Sequence, residues 1–149
     1  MTRRQERENI YRILFRAEFH KPEEMEEQLA LARAALRESS ADEDAPVIGG
    51  GENLSEEEEA YIMTKMERVL SHLDEIDAKI SESAIDWSFE RIGKAELAIL
   101  RLATYEVLFD EDVPDKVAIN EAVELTKIYC NEDARGFVNG ILGKIEGNK

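Results

Sequence analysis

Arg3, Arg4 and Arg7 crowd the start of a 149-residue chain whose formal net charge is −15. A guanidinium is planar, permanently charged and rich in N–H donors, so such a cluster suits phosphate oxygens or the faces of bases. The surrounding charge sharpens the point. Residues 1–21 hold six basic and three acidic side chains, a net of +3, whereas the remaining 128 residues carry a net of −18. Glu8–Arg12 at i, i+4 is an ordinary helical ion pair, and Arg12 and Arg16 fit a solvated helix face. Arg3, Arg4 and Arg7 fit less well, because cations near a helix N-terminus oppose its dipole. A phosphate backbone would supply the missing partner. Near the other end, Phe137 stands two residues after Arg135, where an exposed aromatic beside that arginine could stack on an unpaired base.

Other chemistry is sparse. His20 and His72 lie far apart with no Cys or Asp at zinc-ligand spacing, so no metal site is expected. Gly49–Gly51 lacks the following Lys and Ser/Thr of a phosphate-binding loop. Carboxylate pairs such as Glu90 and Glu96 are common in an acidic helical chain and do not by themselves indicate acid–base catalysis. Cys130 has no nominated histidine partner and reads as a packing residue. No enzyme activity and no cofactor are expected. Gly136, Gly140 and Gly143 fall on one helix face, where each glycine costs about 1 kcal/mol relative to alanine. That spacing suggests close backbone approach, by a neighbouring helix in the first instance or by a ligand near Phe137.

The elements that carry these residues are helical. Ile10, Ile13, Leu14 and Ala17 recur at helical spacing, with Tyr11 and Phe15 widening the stripe. A second helix is expected from Pro22, with Met25, Leu29, Ala32 and Leu36 on its apolar face. Residues 38–54, with Pro46 and three consecutive glycines, read as a flexible acidic linker. Ser55 and Glu58 have capping-box spacing, opening one long helix through Ile62, Met66, Val69, Leu73, Ile76 and Ile80. A short turn at residues 86–89, a helix over 97–108, another from Pro114 to Tyr129 and a last one through Ile145, capped by Asp133, complete the chain. No segment alternates with period two. The expectation is an all-α fold of about seven helices in two subdomains, 1–82 and 83–149. No apolar run is long enough to span a bilayer, and no secretory signal is evident. A lone cysteine fits a reducing compartment, so the expected location is cytoplasmic.

Residues 97–145 bring a family into view. The run Val113-Pro114 through Val117-Ala118-Ile119-Asn120-Glu121-Ala122-Val123-Glu124-Leu125 resembles the NusB family of transcription antitermination factors. Ile99-Leu100-Arg101 with Tyr105-Glu106, and Phe137-Val138-Asn139-Gly140, follow in matching order. Arg7-Glu8 with Leu14-Phe15 is similar to the family's first helix. The resemblance implies an all-helical, non-catalytic protein. It implies binding of boxA-type single-stranded RNA of ribosomal RNA transcripts together with NusE, a small-subunit ribosomal protein, within an RNA polymerase antitermination complex. By matching position it implies an RNA edge at Arg3, Arg4 and Arg7, further RNA contacts at Asp133 and Phe137 with Arg135 beside them, and a NusE-facing region at Glu90 and Glu96. Asn120 and Glu121 are implied to order the start of their helix.

Two positions depart from the family pattern. Glu6 stands where a small residue is usual, placing an anion among the arginines. Gly136 stands where lysine is common. Together with the net charge, these imply weak RNA binding alone and a strong requirement for the protein partner. A related domain accompanies some ribosomal RNA cytosine methyltransferases, but no methyltransferase segment is evident, so a free-standing factor is expected. The alternative from another class is a helical protein–protein adaptor with little RNA binding. Exposed apolar positions on the first helix would allow a homodimer.

Overall fold

A computed structural model describes residues 2–18, 22–24, 27–28, 30–31, 34, 55–84 and 89–149. The linker at 38–54, His20, most of the expected second helix and Trp87 lie outside the described residues. Among the described residues are the α-helices α1 (Arg3–Ala17), α2 (Glu56–Ser71), α3 (Leu73–Ser83), α4 (Lys94–Phe109), α5 (Asp115–Tyr129) and α6 (Glu132–Gly147), with 3-10 turns at Pro22–Glu24 and Phe89–Arg91 and no strand. The all-α expectation holds.

The chain divides into two compact units, Met1–Arg68 and Val69–Lys149. The first begins with a capping box: the Thr2 hydroxyl accepts from the Gln5 N–H at 3.1 Å, and Gln5 Oε1 accepts from the Thr2 N–H at 2.8 Å. This satisfies backbone donors that the first turn would otherwise leave unpaired. Ile10, Tyr11, Ile13, Leu14 and Ala17 are all buried. The apolar stripe of α1 is therefore largely spent inside the protein, with Phe15 half-buried at its margin. The Ser55–Glu58 box forms as expected, at 3.0 and 3.2 Å, and opens α2, whose Ile62, Met63 and Met66 are buried.

The expected single helix from Ser55 to Ile80 breaks at His72. That residue leaves helical geometry (φ −105°, ψ 13°), and its ring packs on Phe109 at 4.2 Å and Tyr105 at 6.0 Å between centroids. Helix α3, which follows the break, packs on α4 and α6 and so belongs to the second unit. The expected boundary near residue 82 had assigned it to the first.

The second unit is built around α4. Residues 97–100 and 102–107 are buried without interruption, which is the pattern of a helix covered on every side. It packs on α3, α5 and α6. Ile99, Leu100 and Leu102 are essentially inaccessible, and each such side chain contributes about 1.5–3 kcal/mol through burial. Helices α5 and α6 form a hairpin joined at Cys130 and Asn131, which fixes the start of α6 beside α4.

Candidate nucleic-acid interface

In the first unit, the basic edge is the first turn of α1. Arg3 and Arg4 are exposed, whereas Arg7 retains only 8% of its surface. Arg7 precedes Ile10 and Leu14 by three and seven residues and so sits on the buried stripe, with little surface left for an RNA. Glu6, the departure inside this cluster, is also buried, and its Oε2 accepts from Arg3 Nη1 at 2.7 Å. That hydrogen bond holds the Arg3 pKa above its ordinary value, with the nearby Tyr61 adding to the effect. The Arg3 guanidinium lies over the Tyr61 ring, 4.1 Å from its centroid. Buried Lys65, one turn along α2, places Nζ 3.5 Å from the Tyr61 hydroxyl. Tyr61 was missed at the sequence level, because nothing local to α2 signals what α1 brings to it.

In the second unit, Glu96, Asp133 and Phe137 converge on one groove of about 190 Å³, also lined by Arg91, Ile92, Gly93, Asn131 and Ala134. Asp133 and Phe137 share a face of α6 because they are four residues apart. Glu96, expected to face a protein partner, thus lines the same hollow as two residues expected to face RNA. Glu90 is exposed on the neighbouring 3-10 turn. Arg135 is turned away by the helical period and lines an adjacent hollow of about 190 Å³ with Lys127, Cys130, Asn131 and Glu132. Phe137 and Arg135, close in sequence, therefore line different hollows.

Two further expectations are corrected. Asn131, with extended backbone (φ −82°, ψ 172°), is the N-cap of α6, so Asp133 lies within the first turn and does not cap it. Gly136, Gly140 and Gly143 are exposed, with nothing within 4 Å of where a Cβ would stand, which removes helix packing as their reason. The close approach occurs instead at Gly93, where a Cβ would run into the Glu96 carboxylate. The same carboxylate accepts a hydrogen bond from the Cys130 thiol. Burial first, then the charge and hydrogen bond of Glu96, push that thiol up to about 11. Among the described residues no group of His, Cys, Asp and Glu could hold a metal ion, and no helix is long and apolar enough to cross a membrane.

Comparison with known proteins matches residues 4–147 to the NusB family. The transcription antitermination protein NusB of Lachnoclostridium phytofermentans is 41% identical over 145 residues, covering 97% of this chain and 98% of that protein. The solved structure of T. maritima NusB superposes with a TM-score of 0.79 at 30% identity, covering 99% of this chain and 92% of that one. A structure of antitermination factors NusB and NusE in complex with dsRNA shares the fold, with a TM-score of 0.75 at 23% identity over 99% of this chain and 97% of that one.

Proposed function

The chain belongs to the NusB family, and on that premise we propose that it is an RNA-binding transcription antitermination factor that takes up boxA-type RNA of ribosomal RNA transcripts together with NusE. The observation that carries this reading is the exposure of Arg3 and Arg4 on the first turn of α1, in a chain whose net charge is −15. Net charge of that sign repels a polyanion at long range, but screening confines surface fields to about 10 Å, so a local basic edge still acts at contact. The solved NusB–NusE–dsRNA assembly supports the same pairing of partners for a protein of this fold.

In this reading Arg3 and Arg4 form the RNA edge, with Arg7 supporting it from the buried side. Phe137 offers an aromatic face to a base, and Arg135 flanks the α6 start on a separate hollow. Glu90, Glu96 and Asp133 offer carboxylates on and beside the groove of the second unit, which suit contacts with a basic ribosomal protein. The RNA–NusE assembly would then act on RNA polymerase in the cytoplasm, with no catalytic step by this chain.

The test is a titration of labelled boxA-type RNA at several salt concentrations, with and without NusE. Binding is expected to be weak alone, much tighter with NusE, and salt-dependent. Replacing Arg3 and Arg4 together by alanine should weaken the ternary complex about tenfold or more; Arg7 is spared because its replacement would empty a buried position. Equal affinity with and without NusE, or indifference to the double replacement, would favour the adaptor reading.

A further inference from the structure

Arg3 has three properties that a simple phosphate anchor does not require. Its charge is matched at 2.7 Å by Glu6, whose side chain is only 8% exposed and so holds the pair from within. Its guanidinium lies over the Tyr61 ring at 4.1 Å. Yet its side chain remains 69% exposed. A cation neutralised this closely releases few counterions when a phosphate arrives. What survives neutralisation is the weakly hydrated planar surface, which is the part of arginine that stacks. Tyr61 sits against the guanidinium, and the exposed remainder of the group is left for a second planar partner.

We propose that Arg3 is a stacking platform for an unpaired nucleobase, backed by Tyr61 and fixed in orientation by Glu6, rather than a phosphate anchor. The inference rests on the RNA-binding reading above and specifies what Arg3 does within it. Tyr61 and Glu6 are positioning residues, since they act through Arg3. The buried Glu6 is then a support for the RNA edge and not an intruder in it. Every base presents a π face, so the platform tolerates sequence and adds affinity more than discrimination.

The proposal is tested with the full chain, NusE and a fluorescent boxA-type RNA, comparing R3A, R3K, Y61F and Y61L over a range of salt. R3K retains the charge and loses the plane. R3A and R3K should both weaken binding, by about tenfold, while the salt slope stays at its wild-type value. Y61F keeps the ring and should bind as wild type. Y61L should weaken binding, but should add nothing in an R3A background, which a general loss of stability would not reproduce. Wild-type affinity in R3K, a salt slope shallower by about 0.7 in R3A, or a further loss on adding Y61L to R3A would each overturn the stack in favour of a phosphate contact or a structural role. R3K changes an exposed side chain, so its result does not depend on the folding of the Tyr61 variants. If replacing Arg3 and Arg4 together has no effect, the RNA edge itself fails; if that pair matters and R3K rescues, only the stack fails.

Discussion

Arg101 of α4 closes a two-point clasp on Asp77 of α3, Nε to Oδ1 at 2.9 Å and Nη2 to Oδ2 at 2.8 Å. Both side chains are largely withdrawn from water, Arg101 the more so. Burial pushes the Asp77 carboxyl up to about 6, with Asp74 adding to it, and pushes the guanidinium down to about 10. Burial thus disfavours each charge alone, and the paired hydrogen bonds offset that cost.

From this geometry, Asp77→Ala or Arg101→Ala should each destabilise the protein by about 1–3 kcal/mol, since each strands a partly buried charge. The double replacement Asp77→Leu with Arg101→Met should cost less than either single change, because no charge is stranded. Urea unfolding of the three variants measures this. Losses that simply add would show that the clasp is not a coupled unit.

The cap of α2 carries its own expectation. Ser55 Oγ accepts from the Glu58 N–H at 3.0 Å at the head of a helix whose first turn is entirely glutamate. Ser55→Ala should cost about 1 kcal/mol, and Ser55→Asp should largely restore it by replacing the acceptor oxygen. Thermal midpoints of the two variants decide the matter, and an unchanged midpoint in Ser55→Ala would mean that α2 does not depend on its box.

Gly136, Gly140 and Gly143 stand in open space on α6. Alanine there meets no neighbour and removes the backbone freedom that glycine gives the unfolded chain. The triple replacement should stabilise the protein by about 2 kcal/mol, raising its midpoint by about 4–8 °C. A fall in midpoint would show that the glycines have a structural duty which the open space around them does not suggest.

How far the fold was legible depended on whether the deciding forces were local. Ile10, Ile13, Leu14 and Ala17 on α1 were set by helical period and are buried as expected, and Ala118, Ala122 and Leu125 on α5 follow the same period into the core. The break at His72 was hidden because the apolar spacing runs straight through it; what holds it is a ring contact with Phe109, far along the chain. Asn131 and Asp133 are both good capping types, and only backbone geometry separates them. At the start of α1, the period already placed Glu6 and Arg7 on the stripe of Ile10, Ile13 and Leu14, but their charge argued for the surface. Their burial is the case in which position on the helix outweighed residue type. The Arg3–Tyr61 contact joins two helices far apart in the sequence, so no local pattern could announce it.

The last expectation concerns Cys130, which lines the hollow beside the groove. Burial and the Glu96 carboxylate hold the thiol proton, so ionisation is postponed to about pH 11 from a usual value near 9. The reactive form is the thiolate, and at pH 7–8 the folded protein should therefore alkylate more slowly than the same chain in denaturant. Because the folded pKa is raised, the thiol's contribution to stability is present below the unfolded pKa and is lost as pH rises through the folded one; stability should decline between about pH 9 and pH 11 on its account. Glu96→Gln removes the negative charge while keeping an acceptor. It should lower the thiol pKa and speed maleimide labelling at pH 8 severalfold, whereas Glu90→Gln, on the exposed turn nearby, should leave the rate alone. Labelling that is equally slow in Glu96→Gln would assign the suppression to burial alone and release Glu96 from any hold on the start of α6.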